Sequence, residues 1–398
     1  MAVETASAGG PLEGITVLDL STVGPAARCT RLLADYGALV VKVGPVPTAD
    51  AAPIVPKYFA YSGHRGMRRV LVDLKDPDGR AAFLALAASA DVVVESFRPG
   101  VVDKLGVGYS AVSEWNPGVI YCSTSGYGQD GPASQWAGHD IDYLALGGFL
   151  GMSTPGSGGA PPLPGATVAD AAAGGMHAAL AITAALAGRA ASGRGAYLDV
   201  SVAEGVLWLM SLAVDEQLAL GGEIRPGHDV LSGRYACYGT YAGSDGKWLA
   251  VGAIEAKFFA NLCGVLGVPA ELVGLQYDDE AQERIREALG AAFAERTRDE
   301  WVELLAGADT CVAPVLEIAE VAAVPQFVAR GVVTSALHPV EGVVRQLAPL
   351  LAGMAPAVGG GEPVALPDMA QTDTEHLLKE AGVDGETVAG WVARQVVA

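Results

Sequence analysis

Between Ile15 and Ser123 short apolar runs alternate with helical stretches, and few folds accept that pattern. Ile15–Leu20 reads as a buried strand and Ala26–Tyr36 as a helix stopped by Gly37. Leu39–Val43 and Val70–Leu74 read as strands, Gly79–Ala88 as a helix, and Asp91–Glu95 and Val119–Ser123 as further strands. Short connections between such elements imply parallel βαβ units in an α/β, Rossmann-like domain with an open, mostly parallel sheet. Ligands of such sheets bind at the carboxyl ends of the strands. The turn after the first strand is S-T-V-G-P-A-A, not G-x-G-x-x-G, so a dinucleotide site of the usual kind is not expected.

Met152–Gly165 is a Gly/Pro/Ser loop, after which Asp170 opens an Ala-rich helix running to about Arg189, with Gly193 as its C-cap. A strand, Tyr197–Val202, and a helix, Val202–Ala219, lead to a linker at Gly221–Gly227. The texture then changes. Tyr235–Tyr241 and Lys247–Val251 form a hairpin about S-D-G, and helices cover Ala256–Leu266, Asp279–Ala294 and Arg298–Ala306. Two closing helices, Thr374–Ala381 and Glu386–Val397, follow a Gly/Pro-rich stretch and return to the first domain. The expected organisation is a large domain over 1–220, completed by 335–398, and a smaller α+β domain over 221–334.

The balance of 45 acidic against 25 basic residues, a formal charge of −20, opposes nucleic acid or an anionic membrane as a partner. Cys29, Cys122, Cys237, Cys263 and Cys311 lie far apart, which suits reduced, buried thiols. No cluster has metal-ligand spacing, so no metal is expected. Met1–Gly10 has neither a basic nor an apolar signal region, and the charge-free stretch Tyr143–Ala169 is broken by four prolines. The expectation is a cytoplasmic protein without a membrane span.

The basic residues are unevenly placed. Lys57, Arg65, Arg68, Arg69 and Lys75 share one stretch with a single acid, Asp73, and could serve an anion such as phosphate or simply solvate a loop. Arg98, in F-R-P-G, and Lys104 follow the strand ending at Glu95. His139, in A-G-H-D-I-D-Y, sits between Gly138 and a flexible loop, where an accessible imidazole could give and take a proton near neutrality. Asp170 begins its helix either as an N-cap or as a reactive carboxylate. Gly174 and Gly175 in the following turns permit close approach of a ligand, and the helix-start amides could hold an oxyanion. Glu255 ends the strand-like W-L-A-V-G-A-I-E ahead of another helix.

Taken with P-L-E-G-I-T-V-L-D-L, L-L-A-D-Y-G-A-L-V-V-K-V, V-D-L-K, F-R-P-G-V-V-D-K-L-G, G-Y-G-Q-D-G-P and S-G-R-G-A-Y-L-D-V-S, the chain resembles the class III coenzyme A transferase and α-methylacyl-CoA racemase family over essentially its whole length. G-H-D-I-D-Y-L-A-L-G-G, with histidine where transferases often carry an aromatic residue, is similar to the racemase branch. So is C-Y-G-T-Y-A-G-S-D-G-K-W-L-A-V-G-A-I-E-A-K-F-F. The resemblance implies His139 and Asp170 as opposed acid/base groups, with Glu255 orienting His139. It also implies coenzyme A contacts from Val23, Lys42, Leu74, Lys75, Arg98 and Lys104. It implies an interlocked homodimer in which Glu255 approaches His139 from the partner chain. K-V-G-P, with Gly44, replaces the K-V-E-x-P frequent in the family, a departure that bears on the adenosine diphosphate site and not on the reaction.

The expected chemistry is a 1,1-proton transfer at the carbon beside an acyl-CoA thioester, such as a 2-methylacyl-CoA, with no cofactor beyond the coenzyme A of the substrate. Two rivals stand beside it. In CoA transfer between carboxylic acids Asp170 would act as nucleophile and His139 would be dispensable. A binding protein that had kept the fold would need none of the three acid/base residues.

Overall fold

A computed structural model describes residues 10–47, 64–156, 158–349, 364–368 and 371–398. The chain forms two compact units. One comprises the chain up to Gly148, Pro164–Leu212 and the chain from Val328 on; the other comprises Phe149–Leu163 and Ala213–Phe327. Phe149–Leu163, read from the sequence as part of the large domain, therefore packs with the second unit.

The first unit is built on six strands: β1 (Thr16–Asp19), β2 (Leu39–Gly44), β3 (Arg68–Leu71), β4 (Val92–Glu95), β5 (Ile120–Ser125) and β6 (Ala196–Ser201). Their order is β3-β2-β1-β4-β5-β6 and every pairing is parallel. The apolar runs are near-continuous because both faces are covered. Leu18, Val93 and Tyr121 face a core shared with Phe83, whereas Val17, Val92, Val94 and Ile120 face the helix α1 (Gly24–Asp35) and Ile182. The closing helices Thr374–Glu380 and Gly385–Ala393 cover the first face through Leu377, Leu378, Val388 and Trp391. The strand order reverses between β1 and β4, and there an open sheet presents its crevice.

The second unit holds a three-stranded antiparallel sheet of β7 (Tyr238–Ala242), β8 (Trp248–Gly252) and β9 (Val312–Pro314). Helices Ala256–Leu266, Gln282–Phe293 and Arg298–Leu305 enclose its core around Phe259, Leu289, Phe293 and Trp301. The antiparallel pair Val333–His338 and Gly342–Leu347, not anticipated from the sequence, belongs to the first unit.

Two long helices depart from expectation. Val202–Ala219 is two helices, Val202–Leu209 and Ser211–Leu220. The Asp170 helix begins as a π-helical segment, Ala169–Met176, and becomes α-helical only at His177–Ser192. Ala169–Ser192 is long and apolar enough to cross a membrane by length and composition; here Ala178 and Ile182 are wholly buried against the sheet. Four cysteines are buried, but Cys311 is exposed, contrary to the expectation for all five.

Candidate active site

The local structure around His139 starts from a tyrosine. The Tyr143 ring lies where a side chain on Gly126 or Gly138 would stand, so both positions must be glycine. Its hydroxyl donates to the Gly138 carbonyl at 2.7 Å, and its ring meets Tyr127 edge to face at 5.2 Å. Gly138 thus seats an aromatic anchor, where the sequence suggested only an open space beside the imidazole. His139 is the N-cap of the helix Asp140–Leu146, and its amide donates to Asp142 Oδ2 at 2.9 Å. The imidazole itself is exposed on the chain.

Asp170 stands in the first turn of the π-helical segment, not at its N-cap, which is Val168. Its amide donates to Asp140 Oδ1 at 2.8 Å, joining the residue after the histidine to the second acid/base candidate. Gly174 and Gly175 seat α1 and not a ligand. A Cβ on Gly174 would lie 2.5 Å from Pro25 Cβ, and one on Gly175 would lie 2.8 Å from Arg28 Cβ. On the opposite side Gly205 of the helix Val202–Leu209 presses on the backbone of Ala173. Helices on both sides hold the segment, which suits the frequent use of π-helical turns at functional sites. Gly24, in the left-handed region at φ 78°, brings the start of α1 beside Asp170 Oδ2.

Burial and the neighbouring Asp140 raise the Asp170 carboxyl above the ordinary carboxylate range, with Arg28 and His139 pulling the other way. Burial and Asp140 thus act against the helix-start field, which would weaken a base. Tyr143 is pushed up to about 12 by burial, with Asp170 adding to it. Two of the expected oxyanion donors are engaged, the Asp170 amide by Asp140 and the Ala171 amide by the Thr167 carbonyl at 3.0 Å. In the first turn of the helix Asp140–Leu146, beside both candidates, the Asp142 amide donates to the His139 carbonyl at 2.9 Å, and the amides of Asp140 and Ile141, which have no intrahelical acceptor, are further candidates.

The residues expected to touch coenzyme A line the carboxyl edge of the sheet. Val23, half exposed, caps α1 just past β1. Leu74 packs partly against the first core, and Lys75 is exposed. Arg98 and Lys104 are exposed and make no ion pair among the described residues. Lys42 differs: it is buried, and its Nζ donates to Asp19 Oδ2 at 2.7 Å and to the Ser21 carbonyl at 2.6 Å. Asp19 also accepts from Thr30, and the parallel register sets it directly beside Lys42. The basic stretch is likewise divided. Arg65 is buried on Asp35 at 2.8 Å and the Leu347 carbonyl at 2.7 Å, so it is no phosphate ligand. Arg68 and Arg69 line a cavity of about 260 Å³ with Lys42, His64 and Asp373, while Lys57 lies outside the described residues.

Glu255, in the second unit, is the exposed N-cap residue of the helix Ala256–Leu266, and its side chain makes no cap bond. Buried Gln276 donates to the carbonyls of Ala253 and Ile254, at 3.1 and 2.6 Å, fixing the turn that carries it.

The model of CoA-transferase family III matches residues 12–364. The chain belongs to that family. It is 37% identical over 311 residues to the human α-methylacyl-CoA racemase, covering 78% of this chain and 79% of the relative. It is 30% identical over 382 residues to the human succinyl-CoA:glutarate CoA-transferase, covering 93% and 86%. Among solved structures, a CaiB/BaiF family protein from Brucella suis aligns with a TM-score of 0.73 at 27% identity, covering 94% of this chain and all of that one. Within this family III chain, Arg28, Asp140 and Tyr143 are parts of the site that the sequence reading left unassigned. Asp140 was the most legible, as the acid following His139 at a helix start.

Proposed function

We propose that this chain is an acyl-CoA racemase that inverts the α-carbon of 2-methylacyl-CoA thioesters. The observation that carries the reading is the joining of His139 and Asp170 around Asp140 on one unit, with a carboxyl made more basic than usual. One of the two removes the α-proton, and the bonding pair moves into an enolate. The other then delivers a proton to the opposite face. The thioester carbonyl acidifies the α-carbon, and no electrons are gained or lost, so the reaction needs no redox group. Amides at the start of the helix Asp140–Leu146 would hold the enolate oxygen. Val23, Lys42, Leu74, Lys75, Arg98 and Lys104 would bind coenzyme A, with Lys42 acting from within its pair with Asp19.

The working form would be an interlocked cytoplasmic homodimer in which Glu255 of one chain orients His139 of the other. Large apolar side chains left exposed on the first unit, Met176, Leu180 and Trp208, supply surface for such a dimer.

Incubating one enantiomer of a 2-methylacyl-CoA in heavy water tests the reading. Loss of optical purity with deuterium at the α-carbon is expected. The second reading, CoA transfer through an Asp170 anhydride and aspartyl thioester, draws on the 30% identity to a transferase. Thioesterification of an added free acid without α-exchange would establish that one instead.

A further inference from the structure

Arg28 is a cation that the architecture does not use up. It projects from α1 toward the π-helical segment, where only a glycine, Gly175, leaves room for it. Its Nη2 donates to Thr167 Oγ1 at 2.6 Å, and the Thr167 carbonyl in turn accepts the Ala171 amide. The guanidinium therefore ties α1 to the turn from which Asp170 emerges. Its Nε is buried and has no hydrogen-bond partner among the described residues. Native proteins leave few buried donors unmatched, and such exceptions tend to have a cause outside packing. Arg28 forms no contact ion pair among the described residues, yet it is the cation on α1 whose field reaches Asp170.

The groups facing Asp170 are few. Asp140 and His139 come from the helix Asp140–Leu146, as does the Tyr143 phenol; α1 brings Arg28. The helix Val202–Leu209 meets the segment through Gly205, which carries no charge. Two of these influences, burial and Asp140, favour a neutral carboxyl; Arg28, the larger, and His139 oppose them.

We propose that Arg28 is a positioning residue for Asp170, fixing the turn that presents the carboxylate and supplying the positive field that keeps it ionised between turnovers. This rests on the reading that Asp170 exchanges the α-proton. The role separates geometry from charge: the bond to Thr167 sets where the carboxylate stands, and the charge sets how readily it holds a proton.

The test is the pH dependence of α-deuteration, measured from each enantiomer, for wild type, Arg28→Lys, Arg28→Gln and Asp170→Asn. Arg28→Gln can keep a donor for Thr167 while losing the charge, so it is also the variant expected to fold. It should move the acid limb of one enantiomer's profile, and the alkaline limb of the other's, upward by about one pH unit, an approximately tenfold loss at low pH. The KM for the acyl-CoA should stay within about twofold, and Arg28→Lys should restore most of the limb. Limbs at their wild-type positions in Arg28→Gln, or equal displacement in Arg28→Lys, would overturn the proposal. Racemisation, or exchange that survives from both enantiomers in Asp170→Asn, would instead sink the reading beneath it.

Discussion

The amide of Asp170 and the carboxylate of Asp140 are joined at 2.8 Å, so two acidic side chains are held near each other by a backbone bond. The bond holds the helix Asp140–Leu146 to the π-helical segment, and its cost is a carboxylate next to a carboxylate. Asp140→Asn keeps an oxygen for the Asp170 amide but removes the like charge. The acid limb of α-deuteration should therefore move to lower pH, opposite to the Arg28→Gln shift. Asp140→Ala leaves the amide without its acceptor and should cost about 1–3 kcal/mol in thermal unfolding. A limb unmoved in Asp140→Asn would contradict the electrostatic part of this account.

Lys42 is expected to be first of all a structural cation. Lys42→Met would leave Asp19 buried without its counter-charge, a loss of about 3–5 kcal/mol readable by denaturant unfolding. A variant as stable as the parent, but with a raised KM, would transfer the lysine's role to the substrate.

Glu95, almost fully buried at the end of β4, gives the first unit a pH-dependent stability. Burial pushes its carboxyl up to about 7, against the Ser123 hydroxyl and the Phe97 amide. A group raised above its unfolded value of 4.5 contributes stability that is complete below that pH and disappears as pH rises through about 7. Melting temperature should fall across this window, by an amount equivalent to roughly 3 kcal/mol at most. In Glu95→Gln that segment of the pH–stability curve should be flat; an identical slope in both proteins would rule Glu95 out as its source.

Gly24→Ala probes the start of α1. Among the described residues the added methyl meets only Asp170 Oδ2, at 4.0 Å, so strain comes from the left-handed backbone and not from a clash. A destabilisation of about 1–2 kcal/mol is expected, with reduced turnover, since the backbone that must relax flanks the carboxylate. Full stability together with full activity would show that the turn adapts freely.

The sheet was legible because its inner strands are apolar on both faces, as Leu39–Val43 shows. The pairing of Lys42 with Asp19 was not, because register is a tertiary property: nothing in V-V-K-V-G says which acid stands beside the lysine. The π-helical turns were hidden for a similar reason. A-D-A-A-A-G-G-M suits an α-helix equally well, and Pro25, Arg28 and Gly205 on packed neighbours accompany the wider winding. His139 and Asp170 could be named from motifs, whereas the bond through Asp140 depends on two helices meeting 30 residues apart in the chain.

The wider turns of Ala169–Met176 also make the chain intolerant of shortening there. A π-helical turn holds more residues than the roughly 3.6 of an α-helix, so deleting one residue among Ala171–Gly175 would let ordinary winding take over. His177–Ser192 could stay seated on the sheet and Asp170 keep roughly its direction, but Ala173, Gly174 and Gly175 would lose their register with Gly205, Pro25 and Arg28. The spacing of this segment is therefore as much a part of the candidate site as the carboxylate it carries.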